Sequence, residues 1–279
     1  MLTTFDHVTV VVADLDAAVK NHARLLGSEP IWRGTSPELG TQTALFGFSN
    51  ALLELVAPAE QAPESDGLRS WLEVNGDGLM SICFGTMDAS ACSAELRARG
   101  VRATAPQAGA ARSADGATRH YELVELSPRS TRGLSVAIVQ RSAALFGPET
   151  RAAAPDAVYA LDHVVVRTAA PDAAIQLYEK GLGVRLALDR TFGDIRMLFF
   201  RIGGVTLEVV EDRALGASDA LYGLAYRVRD IDAANVRLRA ADFDVSEVRE
   251  GRKTGTRVFT VRAGTSNVPT LILSDPSRE

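Results

Sequence analysis

Two pairs of histidine and glutamate residues have the types and spacing of a metal site. His7 precedes Glu54 by 47 residues, and His163 precedes Glu208 by 45. Each glutamate lies inside an otherwise apolar segment, so its carboxylate needs a partner that offsets its desolvation. Imidazole and carboxylate together suit Zn²⁺, Mn²⁺, Fe²⁺, Ni²⁺ or, less naturally, Mg²⁺. The same residues also admit a purely structural role, as buried hydrogen-bonded pairs.

A further group of polar residues follows in the segment from Arg119 to Glu122. In a strand, His120 and Glu122 share one face, and Arg119 and Tyr121 share the other. His120 is a candidate third metal ligand or general base, Glu122 a candidate base, and Tyr121 a candidate hydrogen-bond donor to a substrate oxygen. An exposed edge strand with ordinary polar residues is the alternative interpretation.

These candidates lie in a chain that repeats itself. Phe-Asp-His-Val-Thr-Val-Val-Val from residue 5 recurs as Leu-Asp-His-Val-Val-Val-Arg-Thr from residue 161, at an offset of 156 residues. Weaker echoes start near residues 79 and 221, which gives four modules near 5–60, 79–141, 161–211 and 221–275. We therefore predict an N-terminal domain over 1–141, a linker over 142–158 and a C-terminal domain over 159–279.

Each module is predicted to fold as β-α-β-β-β. In the first module, alternating β-branched residues indicate a strand, Asp14 suits a helix N-cap, and Gly27 suits the left-handed residue that ends the helix. Short strands follow at 43–48 and 51–56, joined by a turn. The predicted fold class is α+β, with mixed, mostly antiparallel sheets whose helices cover one face.

The alternation also assigns side chains to faces. Val8 and Val10 should face the helix-covered core, and Phe5 should share the open face with His7. His22 is predicted on the surface of the first helix. Four aromatic residues at strand positions are either core residues or lining residues of the clefts: Trp32, Phe46, Phe192 and Phe200.

Composition excludes several classes of protein. With 46% hydrophobic and 23% charged residues, the chain has ordinary globular usage, which excludes disordered, collagenous and disulfide-rich classes. No apolar run reaches the roughly 18 residues of a membrane span, and an acidic residue stands where a signal peptide would be basic. Two cysteines, expected to stay reduced, favour the cytoplasm. The net charge of −5 argues against nucleic acid as a partner.

The repeated residues resemble the vicinal oxygen chelate superfamily, the glyoxalase-like fold. Phe-Asp-His-Val-Thr-Val-Val-Val, Leu-Leu-Gly and Ala-Leu-Leu-Glu-Leu-Val carry the resemblance in the first half, and Leu-Asp-His-Val-Val-Val and Val-Thr-Leu-Glu-Val-Val carry it in the second. The resemblance implies that the four modules form two half-open barrels. It implies a divalent metal at the barrel centre, with His7 and Glu54, and His163 and Glu208, as ligands.

The chain departs from the family pattern at four ligand positions. Ser81 and Gly223 stand at the first-strand positions of the second and fourth modules, and Ala137 and Leu271 at the last-strand positions. This departure disfavours a ring-cleaving dioxygenase and a four-ligand glyoxalase site. If odd modules pair with even ones, each cleft keeps two protein ligands. If modules one and three face each other instead, all four ligands meet in one site.

The expected function is that of a metal-dependent enzyme of the isomerase, epimerase or lyase type that acts on a small oxygenated organic molecule. The cleft of His7 is favoured, because the fourth module has no counterpart of His120 and Glu122. The main alternative is a metal-free small-molecule binding or resistance protein, and a ring-cleaving dioxygenase has less support. The sequence does not identify the substrate or the metal, and it does not show whether a metal binds. It also leaves open how the modules pair and whether the protein forms a homodimer.

Overall fold

A computed structural model of the chain describes residues 1–60, 62–142 and 154–275. Most of the predicted linker, residues 143–153, lies outside these described residues. In the first half, the elements are β1 (Leu2–Val11), α1 (Leu15–Leu26), β2 (Trp32–Ser36), β3 (Thr41–Gly47), β4 (Leu52–Pro58), α2 (Asp66–Asn75), β5 (Gly78–Thr86), α3 (Ala89–Ala98), β6 (Gln107–Ser113), β7 (Thr118–Glu125) and β8 (Ser135–Arg141).

The second half follows the same order of elements, except that its described residues contain no counterpart of α2. Its elements are β9 (Ala160–Thr168), α4 (Pro171–Ile175) with a π-helical continuation (Gln176–Gly181), β10 (Arg185–Phe192), β11 (Ile195–Ile202), β12 (Val205–Glu211), β13 (Ala220–Val228), α5 (Ile231–Ala240), β14 (Arg249–Glu250), β15 (Arg257–Val261) and β16 (Thr270–Ser274). Four β-α-β-β-β modules therefore make up the described chain, with α2 between the first and second.

The first helix begins and ends at the residues that the sequence predicts. The Asp14 side chain accepts a hydrogen bond from the backbone N–H of Ala17, and Gly27 has a φ of +71° at the C-cap. The C-cap position needs left-handed backbone, which glycine adopts without steric penalty.

Module one pairs with module two, and module three with module four. In the first sheet the strand order is β1-β4-β3-β2-β6-β7-β8-β5, and β1 is hydrogen-bonded to β5, which closes a barrel. In the second sheet the order is β10-β11-β12-β9-β13-β16-β15-β14. The α+β fold class of mixed, mostly antiparallel sheet is thus confirmed. Because the pairing is within halves, modules one and three do not share a barrel.

The two sheets differ in closure. In the first half, β2 and β6 are hydrogen-bonded through the pairs Gly34–Ser113 and Thr35–Arg112. Their counterparts in the second half, β10 and β14, are the two unpaired edges of the sheet. The first sheet is therefore a closed barrel, and the second keeps the half-open form that the resemblance implies.

One hydrophobic cluster runs through both halves, and it includes Val8 and Val10 as predicted. Phe5 also belongs to this cluster, so its assignment to the open face was wrong. The reason is a bulge in β1 between Phe5 and His7, which shifts the alternation by one residue. His22 is only 3% exposed, so its assignment to the helix surface was wrong as well. Among the described helices, none is long and apolar enough to span a membrane.

Candidate functional site

In the first half, β1 and β4 bring a histidine and a glutamate together at the inner wall of the barrel. The strands run parallel, and Glu54 lies opposite Thr9, two residues beyond His7. His7 Nε2 is 3.4 Å from Glu54 Oε2, and the Thr9 hydroxyl donates a hydrogen bond of 2.9 Å to the same oxygen. One nitrogen of the imidazole therefore faces a carboxylate.

The other nitrogen of the His7 ring is held by the preceding residue. Nδ1 lies 2.6 Å from Asp6 Oδ1, and Arg141 at the end of β8 donates to the same carboxylate at 2.7 Å. A carboxylate at Nδ1 fixes the tautomer of the ring and directs the lone pair of Nε2. We call Asp6, His7, Glu54 and Arg141 the first cluster.

Charge compensation inside the first cluster shifts its ionisation. Burial opposes the ionisation of Asp6, but the hydrogen bond from His7 and the charge of Arg141 hold its pKa at about 2. Burial also opposes protonation of His7, yet the neighbouring Cys83 and Glu54, and the hydrogen bond to the aspartate, raise its pKa well above the ordinary value. Since a metal binds only the deprotonated imidazole, a metal at this position must displace a proton.

The second half repeats the arrangement on β9, β12 and β13. His163 Nε2 lies 3.8 Å from Glu208 Oε2, and Nδ1 lies 2.9 Å from Asp162 Oδ2. Arg227 donates to the Asp162 carboxylate at 2.5 Å. Burial opposes the ionisation of Asp162, but its bonds to the imidazole and the guanidinium hold its pKa at about 2. Asp162, His163, Glu208 and Arg227 form the second cluster.

The two arginines do not occupy equivalent positions. Arg141 lies on β8, the last strand of the second module, whereas Arg227 lies on β13, the first strand of the fourth. Both were missed by the sequence reasoning, because the internal repeat does not relate them. The preceding aspartates, Asp6 and Asp162, do recur in the repeat and were the available signal for a polar partner of each histidine.

Cys83 is a further neighbour of His7 that the sequence reasoning did not place in the site. It pairs directly with His7 across β1 and β5, and it is 1% exposed. Its thiol donates a hydrogen bond to the carbonyl oxygen of Phe84 at 3.7 Å, and burial raises the pKa of the thiol. The signal that could have found it is the antiparallel pairing of the first strands of two related modules.

The strand register places the replaced family ligands where the sequence comparison puts them. Ser81 lies opposite Ser135 on β8, as His7 lies opposite Leu52 on β4, so Ala137 corresponds to Glu54. Within residues 1–60, 62–142 and 154–275, no three His, Cys, Asp or Glu side chains come together to hold a metal. Each cluster therefore offers one histidine and one glutamate.

The three predicted catalytic residues lie on two opposite faces of strand β7. Tyr121 pairs with Arg141 on β8, so its side chain lies on the same side of the barrel wall as the first cluster. Burial raises the pKa of Tyr121. A hydrogen bond with Ser36 lowers this pKa, and the negative charge of Glu54 raises it further. His120 is exposed on the opposite face of β7, which it shares with Glu122.

An arginine and a tryptophan occupy the barrel interior beside the first cluster. The Arg119 guanidinium lies 5.1 Å from the centre of the Trp32 ring, and burial together with the charge of Arg141 lowers its pKa. Leu45 and Leu52 pack on the same tryptophan. With respect to partners in the described chain, Arg119 Nη1 and Trp32 Nε1 are buried without a hydrogen bond.

Two adjacent cavities open beside the second cluster. Their volumes are about 840 and 800 Å³. Six residues line both of them: His163, Phe192, Met197, Glu208, Arg252 and Leu271. Of the four aromatic residues considered above, Phe192 borders these cavities, whereas Phe46 and Phe200 belong to the hydrophobic core. The second cluster therefore lies at the boundary between two cavities of ligand size.

Both clusters fit a divalent metal held by two protein ligands. Two ligands at about 2.1 Å from a metal in tetrahedral geometry lie about 3.4 Å apart. The observed separations of the histidine nitrogen and the glutamate oxygen, 3.4 and 3.8 Å, are close to that value. The aspartate at each Nδ1 is the outer partner that metal-binding histidines usually have.

Comparison with family models gives two matches that together cover nearly the whole chain. Residues 5–186 match the model described as "Glyoxalase-like domain". Residues 160–277 match that of the "Glyoxalase/Bleomycin resistance protein/Dioxygenase superfamily". Comparison with curated proteins gives no match.

Two solved structures superpose over nearly the whole chain and share its fold. A triple mutant of 4-hydroxymandelate synthase from Streptomyces coelicolor superposes with a TM-score of 0.70 at 15% identity, covering 100% of this chain and 94% of that one. A hypothetical protein from Staphylococcus aureus gives a TM-score of 0.64 at 10% identity, covering 98% and 99%. Streptomyces coelicolor methylmalonyl-CoA epimerase is 28% identical over 51% of this chain and all of its own, with a TM-score of 0.43. Because the model of the glyoxalase-like domain matches residues 5–186, more than half of the sequence, the chain belongs to the glyoxalase-like family, within the vicinal oxygen chelate superfamily.

Proposed function

We propose that the protein is a metal-dependent enzyme of the isomerase, epimerase or lyase type, acting on a small oxygenated organic molecule in the second-half cleft. The observation that carries the proposal is the position of the second cluster. His163 Nε2 and Glu208 Oε2 face each other at 3.8 Å, and both residues line two cavities of ligand size.

A divalent metal bound there supplies a Lewis acid that polarises a substrate oxygen. The chain's own residues prepare the position for it. Asp162 accepts the Nδ1 proton of His163, which leaves the lone pair of Nε2 directed at Glu208. Arg227 binds Asp162 and keeps that carboxylate ionised. The histidine therefore stays in the tautomer and orientation that a metal requires.

The missing family ligands leave room for the substrate. Gly223 and Leu271, which stand at the replaced ligand positions of the fourth module, line the cavity of about 840 Å³. Neither side chain competes for a metal, so His163 and Glu208 would be its protein ligands, and a substrate has room beside them.

The first cluster is a candidate second metal position of lower accessibility. His7 is 9% exposed inside a closed barrel, and its raised pKa means that a metal competes with a proton. Tyr121 remains a candidate hydrogen-bond donor there, because it lies on the same side as the first cluster. His120 and Glu122 remain predictions without support from position, because they lie on the other face of β7.

The test is metal binding by the purified protein. After removal of metal with a chelator, titration calorimetry with Zn²⁺ and Mn²⁺ should show binding, and the bound ion should raise the melting temperature. His163→Ala should weaken binding to the second cluster at least a hundredfold, because one of two protein ligands is lost. His120→Ala is the matched control, since it removes an exposed histidine, and it should leave binding unchanged.

Two outcomes would contradict the proposal. One is a protein that binds neither ion in calorimetry and melts at the same temperature with and without them. The other is binding that His120→Ala removes and His163→Ala does not. Elemental analysis of the protein as purified identifies the natural ion.

A metal-free binding protein is the second candidate function. The observation that favours it is the small donor set, since within the described chain no three ligand-type side chains come together. This candidate predicts that a small molecule raises the melting temperature equally in the wild type and in His163→Ala. Metal-dependent consumption of that molecule would decide for the enzyme.

A further inference from the structure

Positive charge lines one of the two cavities of the second-half cleft, the one of about 800 Å³. Among the residues around the cavity of about 800 Å³, six are arginine or lysine, and two are acidic. One of the acidic residues, Asp162, is already bound by Arg227, the sixth cation. Within the described ranges, the other five cations form no salt bridge with a carboxylate: Arg190, Arg201, Arg249, Arg252 and Lys253. The cavity therefore has a surplus of uncompensated positive charge.

These cations stand on both sides of the gap in the second sheet. Arg190 belongs to β10, and Arg249 belongs to β14, with Arg252 and Lys253 just beyond it. Like charges on the two edges repel each other across the gap. In the first half, the seam is closed by the pairs Gly34–Ser113 and Thr35–Arg112, and the neighbouring Arg33 on β2 is paired with Asp16.

Arg252 reaches over the cleft itself. Its Nη1 lies 3.8 Å from Met197 Sδ on β11, and the residue lines both cavities together with His163 and Glu208. A guanidinium in this position presents its remaining N–H groups to whatever occupies the cleft. Planar guanidinium groups bind carboxylate and phosphate through paired hydrogen bonds.

Apolar side chains accompany the cations. Leu188 and Phe192 on β10 are 46% and 38% exposed and line the same cavity. Phe199 and Leu271 add apolar surface to its wall. A ligand with an apolar body would cover these side chains while its charged group meets the arginines.

We propose that the second-half cleft binds an organic anion, whose carboxylate or phosphate group is held between Arg190 and Arg252. Its apolar body packs against Leu188 and Phe192, and its negative charge compensates the positive charge of the cavity. This inference rests on the proposed function, because the bound anion is the proposed substrate, whose other oxygens lie at the second cluster.

The test uses two fluorescent probes with the same aromatic body. One is 8-anilinonaphthalene-1-sulfonate, which is an anion, and the other is the neutral N-phenyl-1-naphthylamine. On metal-free protein, the anionic probe should bind at least tenfold more tightly than the neutral one. The double variant Arg190→Ser with Arg252→Ser should weaken the anionic probe at least tenfold and change the neutral probe less than twofold.

Arg129→Ser is the matched control, because Arg129 lines a separate notch of about 440 Å³. It should leave the affinities for both probes unchanged. Benzoate and phenyl phosphate, as competitors of the anionic probe, separate the two anion types: the one that displaces it at the lower concentration identifies the preferred group. Benzyl alcohol should not displace it.

The inference is overturned if the double variant binds the anionic probe as tightly as the wild type, if both probes weaken equally, or if neither anionic competitor displaces the probe. Circular dichroism of the double variant ensures that a loss of binding is not a loss of folding. If the metal titration fails while the probes behave as expected, the anion site stands and the proposed enzyme does not. If metal binding is intact but the wild type does not distinguish the anionic probe from the neutral one, the proposed function stands and the anion site does not.

Discussion

The aspartate that precedes each histidine is the residue that gives both clusters their orientation. In the first cluster Asp6 binds Nδ1 of the imidazole at 2.6 Å, and in the second Asp162 does so at 2.9 Å. Because the two aspartates are paired with arginines from different strands, the common requirement is a compensated carboxylate rather than a particular arginine. The orientation of Nε2 toward glutamate follows from this contact.

Replacing Asp162 with asparagine should therefore weaken metal binding without removing a ligand. The amide has nearly the same shape, but it no longer fixes the proton on Nδ1, and loss of such outer partners lowers metal affinity about 10- to 100-fold. Titration calorimetry of Asp162→Asn with Zn²⁺ measures the change. Asp275→Asn is the control, since Asp275 contacts Arg227 from the other side at 3.5 Å. Equal affinities of Asp162→Asn and the wild type would refute the orienting role.

His22 should make the protein less stable in mild acid. It is buried on α1, where its Nδ1 lies 2.9 Å from the carbonyl oxygen of Ala18, and burial lowers its pKa below the ordinary 6.5. Above pH 6.5 neither the folded nor the unfolded state is protonated, so the group contributes nothing. As the pH falls below 6.5, the unfolded chain takes up a proton that the folded chain refuses, and stability drops.

The measurement is the free energy of unfolding in urea at pH 7.5 and pH 5.0, for the wild type and His22→Gln. The wild type should lose more stability than the variant, by up to about 1.4 kcal/mol for each pH unit below the unfolded-state pKa. Comparison with the variant cancels the contributions of the other titrating groups. The same loss in both proteins would show that His22 does not titrate in this way.

At the scale of elements, the closure of the first barrel depends on a close approach of β2 to β6. A Cβ at Gly34 would lie 2.2 Å from the carbonyl oxygen of Arg112 and 2.4 Å from the ring of Trp32. Glycine is therefore required where the two strands meet beside the tryptophan. The second sheet has no such meeting of its edge strands, so the two barrels differ at one seam.

Gly34→Ala should destabilise the closed barrel. The added methyl group has to displace backbone or an aromatic ring, and such overpacking costs about 1–3 kcal/mol. A lower urea midpoint at unchanged slope would report it. Gly216→Ala is the control, because nothing lies within 4 Å of a Cβ built there. A midpoint for Gly34→Ala at or above that of the control would contradict the expected clash.

At the scale of the whole molecule, the two halves share their interior. A single hydrophobic cluster extends from Phe5 to Ile272, and the rings of Phe48 and Tyr226 meet across the halves at 5.5 Å. Asn50 adds a polar contact, since its side chain accepts a hydrogen bond from the N–H of Leu161 and donates one to the carbonyl of the same residue. The halves therefore support each other.

Thermal unfolding should consequently occur in one cooperative transition, with equal calorimetric and van't Hoff enthalpies. Asn50→Ala should lower the free energy of unfolding by about 1–3 kcal/mol, because it leaves two backbone groups of Leu161 without their partner. Asn75→Ala is the control, since the Asn75 side chain bonds to Trp71 in its own helix and to no other residue in the described part of the chain. Two resolved transitions in the wild type would indicate halves that unfold independently.

The repeat in the sequence predicts most of the architecture and the two histidine–glutamate pairs. Leu52 and Leu53 beside Glu54 mark the strand, and the matching segment at Glu208 marks its copy, so the modules follow from local pattern. The closure of one barrel does not follow, because it depends on contacts between β2 and β6, whose paired residues are 77 and 79 positions apart in sequence. Likewise, the bulge beside Phe5 exists only in the pairing with β5, and alternation alone cannot reveal it.

The unequal closure of the two barrels has a consequence for how this chain can change over time. The first barrel is closed and shares a hydrophobic core with the second half, so it stabilises the second half. Substitutions along β10 and around β14 change the unpaired edges of the second sheet and leave the closed barrel unchanged. Ligand specificity can therefore change at these edges by single substitutions. After the duplication, the second half is the part of the chain in which new specificities can evolve.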